Sequence, residues 1–212
     1  MQLKLLFVLI ACSLLSKLTG QDFTHQISST KEEVYIKLNP PKLLVEGYEG
    51  DQIQIWKIES ELSGKDKRKI RRYVDRKAIN PNMDYLNIQE EEAIVEIKEQ
   101  YSLGQAYRIK VPNRLKLHIE EQYIGYSYLG KVQLEKFTGD LYIFCRKTDL
   151  LLKDLTRNFE VINPAGNTYA IFTGSAIREQ TSIESLYGNI EFHLATDLNA
   201  DIDLGSLSGT VS

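Results

Sequence analysis

Apolar and polar residues alternate along short segments of this chain, and from Lys131 to Ser175 the alternation falls into five consecutive nine-residue units. They read KVQLEKFTG, DLYIFCRKT, DLLLKDLTR, NFEVINPAG and NTYAIFTGS. Positions two and four pair Val132 with Leu134, Leu141 with Ile143, Leu150 with Leu152 and Phe159 with Val161, and more weakly Thr168 with Ala170. Two apolar residues separated by one share a strand face, and Asp or Asn after Gly suits a tight turn. The pattern therefore predicts a repetitive β architecture in which each unit buries its apolar face against its neighbours. Leu141, Ile143, Leu152, Phe159, Val161, Ile190 and Phe192 are expected inside, and Glu135, Lys153, Glu160 and Glu191 outside.

The same alternation is present elsewhere. Val34, Ile36 and Leu38 mark a strand ended by Pro40-Pro41, and Leu43 to Trp56 reads as strand, turn at Gly50-Asp51 and strand, like the later units. Further strands are expected at Tyr85–Ile88, Ala93–Ile97, Tyr107–Pro112 and Leu115–Ile119, and the theme returns at Ile183–Phe192 and Leu204–Val211. Residues 60–78 break the pattern with Lys65, Lys67, Arg68, Lys69, Arg71, Arg72, Arg76 and Lys77 against Glu61, Asp66 and Asp75. With Glu90, Glu91, Glu92, Glu96 and Glu99 downstream, this reads as a solvated excursion rather than a nucleic-acid patch.

Ile109-Lys110-Val111-Pro112 followed by Leu115-Lys116-Leu117, the turns Thr138-Gly139-Asp140, Tyr187-Gly188-Asn189 and Ser208-Gly209-Thr210, and the run Leu198–Leu204 together resemble an adhesin family of bacterial domains of unknown function. More distantly they resemble the head domains of auto-transporter adhesins. The resemblance covers Val34 to the end apart from the basic excursion, and Arg157 stands where the family has a turn glycine. It implies a right-handed single-stranded β-helix, β-solenoid or β-roll outside a bacterial membrane, with no established catalytic residue. The expected organisation is a signal peptide at 1–20, an N-terminal β region at 21–111 and a repetitive solenoid region at 112–212.

Composition narrows the compartment more than the chemistry. Met1 to Gly20 has Lys4 ahead of an apolar stretch from Leu5 to Leu15 and a small residue before Gln21, the layout of a cleaved export signal. The expected protein is exported, to the periplasm or cell surface. Leu9-Ile10-Ala11-Cys12 resembles a lipobox and would place a lipid anchor on Cys12 if used. Without the signal, Cys145 is the one cysteine left, so no disulfide forms within the mature chain. The 26 basic and 29 acidic residues nearly balance, which argues against a global polyanion-binding field.

Candidate chemistry is sparse. Cys145, with His118 or His193 as base, would make a thiol nucleophile, but its place after Tyr142-Ile143-Phe144 reads as a small buried hydrophobe. Asp201 and Asp203 share a strand face but read as its solvent side. Asp197 to Asp203 starts like a calcium loop yet lacks its glycine and closing glutamate, and His25, His118 and His193 have no metal spacing, so no cofactor or metal is assigned. Nine-residue spacing lines up no column of Asp, Lys, Arg or His. The 12 tyrosines are the surplus: Tyr126, Tyr128, Tyr142 and Tyr169 are the candidate ligand contacts, for a glycan or a cell-surface protein. The expected function is an adhesin-like binding or structural module without catalysis. The rival is a carbohydrate-active lyase or hydrolase on the same scaffold. The last strand, Thr210 to Ser212, is expected to leave an open edge through which copies associate.

Overall fold

The computed structural model describes residues 23–38, 41–58, 86–99, 105–122, 130–173, 181–195, 205–206 and 208. The signal peptide with Cys12, the basic excursion, Tyr126 and Tyr128, the run from Asp197 to Asp203, and the terminal Thr210 to Ser212 lie outside the described residues. Among the described residues there is no helix.

Sixteen strands follow one another: β1 Phe23–Gln26, β2 Glu33–Leu38, β3 Lys42–Tyr48, β4 Gln52–Ile58, β5 Leu86–Glu91, β6 Ile94–Glu99, β7 Ala106–Pro112 and β8 Lys116–Glu121 in the first half. The second half holds β9 Lys131–Glu135, β10 Leu141–Phe144, β11 Asp149–Lys153, β12 Phe159–Ile162, β13 Thr168–Phe172, β14 Thr181–Ser185, β15 Ile190–Leu194 and β16 Gly205–Ser206. They form two mixed, mostly parallel sheets of eight strands, ordered β1-β4-β7-β3-β9-β11-β13-β15 (sheet A) and β16-β14-β12-β10-β8-β2-β6-β5 (sheet B). From β9 onward the chain alternates between the sheets and stacks in register, which is a β-solenoid-like arrangement.

The repeating unit is longer than the sequence pattern suggests. Leu150 pairs with Val132 and with Thr168, each eighteen residues away, so two nine-residue units make one coil and successive units lie in opposite sheets. The two corners of a coil differ in chemistry. From sheet A to sheet B the chain turns through Lys136 and Asp154, both at positive φ (58° and 52°), and buries Phe137 and Leu155. From sheet B to sheet A it turns through stacked Thr148, Gly166 and Gly188. A Cβ on Gly166 would run into the Thr148 carbonyl, and one on Gly188 into the Gly166 carbonyl, so coils approach at this corner closely enough to exclude a side chain. Beside it Asp149, Asn167 and Asn189 form a ladder: the Asn167 side-chain amide donates to Asp149 Oδ1 at 3.0 Å, and that of Asn189 to Asn167 Oδ1 at 3.2 Å.

The strand from Leu43 to Trp56 does not repeat the later units. β3 and β4 are not neighbours, because β7 lies between them, parallel to β3 and antiparallel to β4. In sheet B, β2 likewise sits between β6 and β8. The pair β2–β3 is thus a coil taken from early in the chain and held between two later ones, so strands of residues 21–111 pair directly with strands of 112–212. The antiparallel strands β1, β4 and β5 close this end of the stack.

Inward side chains of both sheets form one core, with Ile36, Ile97, Ile109, Leu117, Leu134 and Ile143 fully enclosed. Leu141, Leu152, Phe159, Val161 and Ile190 are buried as expected, whereas Phe192 is half-buried on the outermost strand of sheet A. Glu160 is exposed; Glu135, Lys153 and Glu191 point outward but are half-covered by their neighbours along the sheet. Thr168, the weak position of the fifth unit, is buried because its hydroxyl accepts a bond from the Asn163 amide at 3.2 Å.

Phe159 stacks on Phe172 across the core with ring centroids 5.6 Å apart, so Phe159→Ala is expected to cost about 3 to 5 kcal/mol in urea unfolding. Lys136 is exposed, and its ion pair with Glu46 is worth little in water, whereas its left-handed backbone costs about 1 kcal/mol. Lys136→Gly should therefore raise stability slightly. At the equivalent site Asp154→Gly should lower it by about 1 kcal/mol, since Asp154 Oδ1 accepts from the Thr173 amide and hydroxyl. Equal effects of the two glycines in chemical denaturation would contradict this account of the corner.

Candidate functional site

Strand alternation that sends aliphatic residues inward sends a row of different chemistry outward. On sheet B the register aligns Glu96, Tyr35, His118, Tyr142, Glu160 and Ser182 across successive strands. Neighbours in this row are about 4.8 Å apart, close enough for rings to touch. The His118 imidazole lies flat on Tyr35, with centroids 4.1 Å apart and planes 5° from parallel, and Tyr142 leans on its other side at 5.8 Å. Though it points outward, His118 is only 8% exposed.

Charges surround these rings. Glu33 Oε2 accepts the Tyr35 hydroxyl at 3.0 Å and lies 2.9 Å from His118 Nε2. That distance would suit an ion pair, yet the angle is wrong for a hydrogen bond, and Nε2 has no hydrogen-bond partner. Burial, only partly opposed by Glu33, holds the imidazole pKa below its ordinary value, so we read the contact as packing of a neutral ring. Lys37 is engaged by Glu96 at 2.8 Å and lies 5.2 Å from the centre of the Tyr35 ring. The Tyr142 phenol is pushed up, first by burial and then by Glu160 and Glu120. Together Tyr35, His118, Tyr142, Glu120, Asp140 and Glu160 line a groove of about 660 Å³, with Lys116 at its side.

The outer face of sheet A carries a second, more apolar groove of about 510 Å³. Its row is Leu44, Gln133, Leu151, Tyr169 and Glu191, aligned by register, with Lys42 and Lys131 along one margin and Ile171 and His193 along the other. Tyr169 is 39% exposed. Beyond the groove, burial tends to raise the Glu46 carboxyl, but Lys136 and Lys110 together outweigh it and hold it below the ordinary range.

Of the four candidate tyrosines, Tyr142 and Tyr169 therefore stand on opposite outer faces of the stack. Tyr126 and Tyr128 belong to the segment between β8 and β9, outside the described residues. Cys145 is a buried free thiol at the corner after β10; burial, with Glu121 adding to it, raises its pKa so far that no thiolate nucleophile is available. His118 lies on the outer face of sheet B and His193 is exposed on that of sheet A. Among the described residues no group of three or more His, Cys, Asp or Glu is placed to hold a metal ion. The eighteen-residue coil does align polar columns that nine-residue spacing missed, Lys42-Lys131-Asp149 and Glu46-Glu135-Lys153. The sequence reading also missed Tyr35, Glu120 and Glu160. Glu160 follows Tyr142 by eighteen residues and was within reach of a correct period, but Tyr35 and His118 are brought together only by the interposed β2.

No protein-family model, curated protein or solved structure matches the chain.

A histidine whose pKa is lower in the folded than in the unfolded chain binds fewer protons when folded, so its contribution is present above pH about 6.5 and is lost as pH falls below it. Urea midpoints should fall between pH 7.5 and 5, and should fall less in His118→Phe, which keeps the stack without the charge. Glu46, Glu90 and Asp154, all held low, lose their contributions only in a more acidic window, below pH about 4.5. Identical pH slopes for the two proteins would show that His118 is not the group responsible.

Proposed function

We propose that the protein is an exported binding module of the cell envelope, adhesin-like in the sense of the family it resembles, which acts without catalysis. Its scaffold in this reading is a right-handed single-stranded β-solenoid, the hand favoured by parallel crossovers between twisted strands. Its ligand is a glycan or a glycan-bearing surface protein, reached at the periplasm or cell surface after cleavage before Gln21.

The observation that carries this reading is the Tyr35-His118-Tyr142 row. The rings are fixed by register and by stacking before any ligand arrives, so little side-chain freedom is lost on binding. Tyr142 presents an aromatic face beside the acceptors Glu120, Asp140 and Glu160, a combination that suits the apolar face and the hydroxyls of a sugar ring. The export-like pattern at Met1 to Gly20 supplies the compartment.

The test is a glycan array on the mature chain, followed by calorimetry of the best hit with Tyr142→Ala and, separately, Tyr169→Ala. Loss of a stacked ring should weaken binding at the groove in use by about tenfold or more, roughly 1.5 kcal/mol, while both variants keep the circular dichroism of the parent. Binding that neither substitution alters, or no glycan binding at all, would overturn the reading.

A further inference from the structure

We propose that the groove on sheet B selects sugars that carry a free amino group, as in a de-N-acetylated hexosamine polymer. The inference rests on the glycan reading above and names the substrate class of that same site.

The groove has an uneven balance of charge. Glu120, Asp140 and Glu160 line it against Lys116, while the nearby Lys37 is held by Glu96 at 2.8 Å and reaches Glu120 only at 4.0 Å. His118 adds no positive charge at neutral pH because burial keeps it neutral. Glu160 is in register with Tyr142 on the neighbouring strand and Glu120 lines the same groove, which places two carboxylates around one partly covered ring. An ammonium group attached to a ring that stacks on Tyr142 would meet those carboxylates in charge-assisted hydrogen bonds beside an aromatic face.

A second and independent feature is His118 itself. It is 8% exposed, it lines the groove, and its Nε2 has no hydrogen-bond partner. A neutral imidazole carries one N–H and one bare nitrogen, so His118 adds an acceptor but no positive charge beside the carboxylates of the groove, and the matching ligand is a donor. An acetylated amino sugar has lost the cation and two of its N–H donors while keeping the ring. A site arranged for donors discriminates strongly against an analogue that lacks them.

The experiment titrates the mature chain with a glucosamine oligomer and with the N-acetylated oligomer of the same length, at pH 6 and two salt concentrations. The amino form is expected to bind at least about tenfold more tightly, with the difference shrinking at high salt. Glu160→Gln and Glu120→Gln should each remove most of the preference. Glu184→Gln, an exposed charge on the same sheet outside the groove, should leave it intact. Equal affinity for the two oligomers overturns the amino-sugar inference and leaves the glycan reading standing. Oligolysine binding that depends on Glu160, with no binding of the glucosamine oligomer, overturns it in favour of a basic protein partner. Glycan binding lost only with Tyr169→Ala overturns the inference for the sheet B groove, and binding that neither Tyr142→Ala nor Tyr169→Ala alters is a failure of the glycan reading itself.

Discussion

The hydrogen-bonding groups of each strand point along the axis of the stack, and only the next coil can meet them. This requirement governs the rest of the structure. It forces neighbouring coils into register, because a slip of one residue would turn the buried Val, Ile and Leu positions outward. It accounts for the close approach at Thr148, Gly166 and Gly188 and for the Asp149-Asn167-Asn189 ladder, where side chains continue along the corner the bonding that strands make along the faces. It also explains why β2 and β3 are clasped by later strands and why β1, β4 and β5 run antiparallel at the end of the stack. Strands reversed there complete the bonding of β6 and β7 without continuing the parallel pattern.

The same stacking makes the outer faces useful. Residues far apart in sequence become neighbours about 4.8 Å apart, on a support too stiff to let them drift. Tyr35 and His118 come from strands joined by no short connection, yet their rings lie nearly parallel at 4.1 Å. The sheet A face has the same geometry but different content, leucines and Tyr169 beside lysines, so the two sides of one scaffold present chemically distinct grooves. In our reading the acidic, aromatic side recognises a sugar and its charge, and the fold supplies the order that such recognition needs.

How far this was legible in the sequence depends on the range of each interaction. Alternation is local, so the expected strand from Glu33 to Leu38 coincides with β2, and the inward residues of β9 to β12 are those read from the repeats. The period was misread because strands of both sheets alternate alike, and Asp140 and Asn158 look like Asp149 and Asn167. Only the corners distinguish them: Phe137 and Leu155 fill one, and Thr148 and Gly166 close the other. The placement of β7 between β3 and β4 left no local trace, since the turn at Gly50-Asp51 reads the same whether or not a strand lies inside it. The candidate site suffered for the same reason. Tyr142 stood out through composition, but its partners Tyr35 and His118 are set by topology.

The interposed early coil is the central structural claim, and paired cysteines test it most directly. In the order β7-β3-β9, Leu44 is in register with both Arg108 and Gln133, while Arg108 and Gln133 are two strands apart, about 9.6 Å. A disulfide bridges Cα atoms no more than about 7 Å apart. In a Cys145→Ser background, oxidation should therefore link Leu44→Cys to Gln133→Cys quickly and in high yield, and should leave Arg108→Cys with Gln133→Cys unlinked. Efficient linking of the second pair and failure of the first would mean that the coils stack in chain order, and that the Tyr35-His118 row does not form as described.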